Sequence, residues 1–132
     1  MNVEKVVLAF YTLCFVAFGV PGLLFPDMFS ALLHYEFITP VGKMEFVAAY
    51  GGLIIGIGLY LLYCLKTNVR AGLVAVLTIV GSLFIGRVIG YQMGGEIDDL
   101  QSLFLAIESA TVVIVGLVLV KGEGFRQGAE VT

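Results

Sequence analysis

The chain has 132 residues, 60% of them hydrophobic and 13% charged, with a net charge of −3. A soluble domain of this size has too little interior to hide so much apolar surface, and disorder requires low hydrophobicity and high charge. The negative balance and the lack of a basic stripe disfavour nucleic acid as a partner. An integral membrane protein remains.

A helix rises about 1.5 Å per residue, so about 20 apolar residues cross a hydrocarbon core of about 30 Å. Val6 to Pro26 is uncharged for 21 residues, and the first span is placed at 5–25. It is too long and lacks the cleavage site of a signal peptide. Pro21 is expected to kink it. Pro26-Asp27 then restarts the chain. Met28, Phe29, Leu32 and Leu33 fall at helical spacing, with Ser30 and His34 on the other face. This predicts a short amphipathic helix in the outer interface. A lone histidine is no metal site, which needs several ligands, so no metal is expected.

Phe46 to Leu65 is uncharged for 20 residues, giving a second span at 44–65. Ala48, Gly52 and Gly56 recur on it every four residues. A third span, 71–93, carries Arg87 and a similar stripe of Ser82, Gly86, Gly90 and Gly94. Such stripes permit close backbone approach, either in a hairpin of the second and third helices or between copies of the chain. A fourth span, 100–120, carries Glu108. The expected architecture is all-α: one membrane domain over 1–132, a four-helix bundle with the short interfacial helix in its first outer loop.

Lys5, Lys66, Arg70, Lys121 and Arg126 fall on one side of this topology, against Lys43 and the intramembrane Arg87 on the other. By the positive-inside rule both termini are cytoplasmic, in a plasma membrane of bacterial type. Cys14 and Cys64 sit at different depths, on a path that ends at a reducing compartment, so no disulfide is expected. Tyr35 and Tyr91 near one boundary, and Tyr60 and Tyr63 near the other, match interfacial aromatic belts.

The ionisable groups inside the spans carry the functional question. Arg87 and Tyr50 both lie about 24 Å from the inner boundary, Glu108 about 18–20 Å and Glu45 about 31 Å. A charge at mid-membrane costs about 2.5–3.5 kcal/mol on insertion scales, so such groups pair, neutralise or line a wet cavity. Arg87 has the reach for Glu108 below it or Glu45 above it. Glu108 shares a stripe with Gln101 and Thr111. Two readings follow. One is a buried lock of Arg87 with Glu108, tied to Tyr50 and Glu45. The other is a binding pocket of Glu45, Tyr50, Arg87 and Glu108, open to the outer face. Glu108 is the best candidate for acid–base chemistry. The Gly-rich run around Gly51-Gly52 lacks the lysine and strand–turn–helix context of a phosphate loop, and no histidine pair suits haem or copper, so no cofactor is expected.

The run Glu45-Phe46-Val47-Ala48-Ala49-Tyr50-Gly51-Gly52, then Gly86-Arg87 with Gly90, then Ala106-Ile107-Glu108, resembles small bacterial four-helix membrane proteins of a domain-of-unknown-function family. More distantly it resembles DoxX-like membrane proteins. The likeness covers Val6 to Val120. Where that family's motif reads Glu-x-Arg-Ala-x-Tyr-Gly-Gly, Val47 stands at the arginine position, which leaves Glu45 without a local cation. The resemblance implies a four-helix fold in a membrane and brings no substrate.

The leading expectation is a small binding or accessory module in the lipid bilayer. Its expected partners are a lipophilic small molecule, a second copy, or another membrane protein. The alternatives are a membrane enzyme or enzyme subunit acting on a quinone- or isoprenoid-type substrate, and a proton or small-ion pathway formed by an oligomer.

Overall fold

The computed structural model describes residues 2–129, with side chains up to residue 122. Arg126, counted above in the positive tail, therefore has its side chain outside the described residues. The regular elements of the described chain are all helical: α1 (Val3–Leu24), α2 (Pro26–Leu32), α3 (Pro40–Phe46), a π-helical segment (Val47–Leu53), α4 (Ile54–Thr67), α5 (Val69–Gln92) and α6 (Asp99–Ala129). Among the described residues, four stretches are long and apolar enough to cross a membrane: Val3–Leu24, Pro40–Thr67, Val69–Gln92 and Asp99–Gly122. The all-α, four-span class read from the sequence is the one observed.

Local chemistry sets the boundaries. Thr39 caps α3, its hydroxyl accepting from Gly42 N at 3.1 Å, and Pro40 occupies the first turn, where no N–H is needed. The second span therefore begins four residues earlier than the predicted 44–65. Asn68 caps α5 by accepting from Ala71 N at 3.1 Å. Asp98 caps α6 by accepting from Gln101 N at 2.7 Å. α5 ends in a Schellman motif, with Gly95 N donating to Gly90 O and Gly94 N to Tyr91 O, and Gly94 at φ +100°. Gly94 is thus the terminator of α5, not the last member of its small-residue stripe. α2 ends the same way, with Tyr35 N donating to Ser30 O, His34 N to Ala31 O, and His34 at φ +60°.

The chain divides into two compact units. In the unit Leu8–Thr67, α1 crosses the second span at glycines. A Cβ on Gly22 would lie 2.5 Å from Tyr50 O, and one on Gly51 would lie 2.8 Å from the Leu23 backbone. Gly19 meets Ile55 and Gly51, and Gly58 meets Val16. These are the close approaches that drive helix association in lipid. They differ from the expected stripes: a Cβ at Gly52, Gly56, Gly86 or Gly90 would meet nothing within 4 Å. Spacing marks where small residues recur, but a helix buries only one side, and the second span turns Gly51 and Gly58 inward. α2 also differs from expectation. Phe29, Ser30 and Leu33 are buried, while Met28 and Leu32 face outward. Ser30 can be buried because its hydroxyl donates to Asp27 O at 3.1 Å.

In the other unit, which joins the chain before Leu8 to that from Asn68 onward, α5 and α6 pack along their length. Leu73, Val76 and Val80 of α5 and Thr111, Val115 and Leu119 of α6 are buried at three- and four-residue spacing. Thr111 donates its hydroxyl to Ile107 O at 2.8 Å. Arg70 Nη1 donates to Leu119 O at 3.4 Å near the end of this seam that holds the start of α5. The opposite end of the seam carries the polar cluster.

Candidate functional site

Between Arg70 at one end and Arg87 toward the other, Thr111 is the one buried polar side chain of the α5–α6 seam among the described residues. At Arg87, Nε donates to Glu108 Oε1 at 2.8 Å, and Nη1 donates to Gln101 Oε1 at 2.5 Å. The guanidinium carbon lies 4.6 Å from the centroid of the Phe104 ring, within cation–π range. Gln101, Phe104 and Glu108 are spaced i, i+3, i+7, so one stripe of α6 presents all three to one residue of α5. The cap at Asp98 makes Gln101 the third helical residue. In a capping box its side chain would turn back to the cap; here it turns to Arg87.

Burial within the cluster is uneven. Glu108 is 6% exposed, whereas the Arg87 side chain retains 28%. Glu108 Oε2 is buried and has no hydrogen-bond partner among the described residues. An unsatisfied buried polar atom costs about 1–3 kcal/mol, more for a charged group. It is therefore the feature of the cluster that most demands a reason. Arg87, for its part, uses Nε and Nη1 and makes no hydrogen bond through Nη2 among the described residues.

Of the residues singled out from the sequence, Arg87 and Glu108 come together in this unit. Tyr50 and Glu45 belong to the other unit and are described there. Tyr50 Oη lies 2.8 Å from Tyr35 Oη, and its ring stacks on Phe46 with centroids 4.6 Å apart. Phe46 also meets Phe37, Tyr35 and Phe29, and Phe29 meets Phe18. Tyr50 is the middle of the π-helical segment, the stretch whose backbone presses on Gly22. Glu45 is exposed. Lys43, two residues before it, pairs with Asp27 at 2.6 Å. Cys14 and Cys64 are free thiols.

Sequence reasoning missed Phe104 as the cation–π partner and Gln101 as a ligand of Arg87. Their i, i+3, i+7 relation to Glu108 was the available signal. It also missed the Tyr35–Tyr50 pair, whose members are 15 residues apart, Tyr35 in the loop after α2 and Tyr50 in the π-helical segment. A cleft of about 750 Å³ lies at the other end of the α5–α6 unit, lined by Val3, Ile114, Leu117, Val118 and Lys121 among others. It is remote from Arg87 and Glu108 along the helices and has mainly aliphatic walls. No group of three or more metal-ligating side chains occurs among the described residues.

Four apolar spans, with an arginine–glutamate pair buried on the seam of the last two, define a polytopic membrane protein. The chain belongs to the DUF4345 family, a domain of unknown function, whose profile matches residues 3–119. No curated protein and no solved structure matches it.

Proposed function

We propose that the protein is a membrane binding or accessory module whose Arg87–Glu108 site holds the polar end of a lipophilic molecule. One observation carries the reading: Glu108 Oε2 is buried and unpartnered beside a guanidinium that still has donors to give. A pair retained only to fix helix register gains nothing from an orphaned carboxylate oxygen, whereas a receiving site requires an unfilled position. Phe104, on the face of the guanidinium, supplies apolar surface next to the charge. In this reading the site lies in the outer half of an inner (plasma) membrane, and both termini are cytoplasmic. The excess of Lys and Arg on the side of the termini supports that orientation.

The test is purification of the wild type and Glu108→Gln in a mild detergent, followed by native mass spectrometry. The wild type is expected to retain a non-lipid adduct or a partner that the variant loses. If both carry the same species, the pair is a structural lock and the binding role is wrong.

A further inference from the structure

The hydrogen-bonding pattern of the cluster narrows the ligand class, and this step rests on the binding role proposed above. Arg87 and Glu108 together carry no net charge. Each group has an atom that makes no hydrogen bond among the described residues: Nη2 of Arg87 offers N–H donors, and Oε2 of Glu108 offers an acceptor. An anion placed there would meet Oε2, and a cation would meet the guanidinium. A carbonyl or ether oxygen would take the N–H but leave Oε2 orphaned. A hydroxyl satisfies both, since its oxygen accepts while its hydrogen is donated.

α5 also presents a bare flank next to Arg87. Gly86 and Gly90 lie about 60–100° round α5 from Arg87, on one flank. A Cβ added at either meets nothing within 4 Å, and both residues are exposed. The α5 surface beside Arg87 is therefore bare on that flank, whereas Glu108 Oε2 itself is fully buried, so a ligand's hydroxyl reaches it as the half-buried Arg87 side chain shifts. We infer that the Arg87–Glu108 site recognises a neutral lipophilic alcohol or phenol entering past Gly86 and Gly90. The ligand's hydroxyl hydrogen goes to Glu108 Oε2 and its oxygen accepts from Arg87 Nη2.

The experiment uses the full chain in phosphatidylcholine nanodiscs, titrated with farnesol and separately with farnesyl methyl ether. Binding is followed by native mass spectrometry, and the Glu108 carboxylate stretch by infrared difference spectra. Farnesol is expected to bind at least about tenfold more tightly than the ether, because the ether leaves Oε2 unpaired. Farnesol, and not the ether, should shift a carboxylate band that is absent from Glu108→Gln. In Glu108→Gln the amide oxygen must face the guanidinium, so an NH2 group replaces Oε2 and the preference for the alcohol should vanish. Gly90→Leu fills the open flank without touching the pair. It should lose farnesol binding while keeping the thermal stability of the wild type.

Equal binding of alcohol and ether, both lost in Glu108→Gln, would overturn the hydroxyl assignment and leave the binding site standing. So would a native adduct lost in Glu108→Gln when neither probe binds. Binding of neither probe, with identical adducts in wild type and Glu108→Gln, would overturn both. Gly90→Leu that still binds farnesol with the wild-type preference would overturn the entry route.

Discussion

Arg87 and Glu108, 21 residues apart in the chain, meet through a 2.8 Å hydrogen bond where α5 and α6 would otherwise continue an apolar seam. Each residue offsets the cost of burying the other. Removing one partner of a buried pair leaves an uncompensated charge, whereas removing both leaves only a packing problem.

Arg87→Met alone is therefore expected to destabilise the protein by about 3–5 kcal/mol. Arg87→Met combined with Glu108→Leu should recover most of that loss. Reversible unfolding in mixed micelles measures both. A double variant as unstable as the single one would show that the pair's cost does not lie in the unpaired carboxylate.

The glycines divide into two groups by what surrounds them. Gly22→Ala sets a methyl against Tyr50 O, and Gly51→Ala sets one against the Leu23 backbone. Neither neighbour is a flexible side chain, so each substitution should cost about 1–3 kcal/mol. Gly56→Ala and Gly86→Ala, in open helix positions, should be neutral or stabilise by about 0.5–1 kcal/mol through helix propensity. Thermal melts of the four variants decide the matter, and a reversed ranking would return the packing role to the spaced stripes.

Tyr35 and Tyr50 share a hydroxyl–hydroxyl hydrogen bond at 2.8 Å. Tyr35→Phe should cost about 1 kcal/mol. In the Tyr50→Phe background the same change should cost clearly less, because its partner is already gone. Additive losses in this double-mutant cycle would mean that the hydroxyls do not interact in the folded protein.

His34 ends α2 in a left-handed conformation, at φ +60°, where glycine is the usual occupant. His34→Val should destabilise by about 1–2 kcal/mol, since a β-branched residue fits that conformation poorly. His34→Gly should be much milder. Equal losses for Val and Gly would point to the imidazole's own contacts as the reason for the residue.

Most of the frame was legible because it is local. Uncharged runs give the spans, since each must match a bilayer thickness; Pro26 restarts the chain at α2; and Arg87 and Glu108 stand out as the charged residues within the predicted spans 71–93 and 100–120. The inner faces were less legible. Gly52 and Gly56 are as regularly spaced as any pair in the second span, yet the contacts fall on Gly51 and Gly58. The π-helical segment Val47–Leu53 adds to this, because i to i+5 bonding shifts the face that a 3.6-residue period predicts.

By itself, the sequence determined that this is a four-span membrane protein with few intramembrane charges, because solvation by lipid penalises each charge regardless of its neighbours. Only the tertiary structure decided the partnerships. It sent Tyr50 to Tyr35, gave Arg87 to Glu108, Gln101 and Phe104, and left Glu108 Oε2 buried without a partner. Hydrogen bonds depend on ångström-scale registry between helices, which no spacing along one helix specifies.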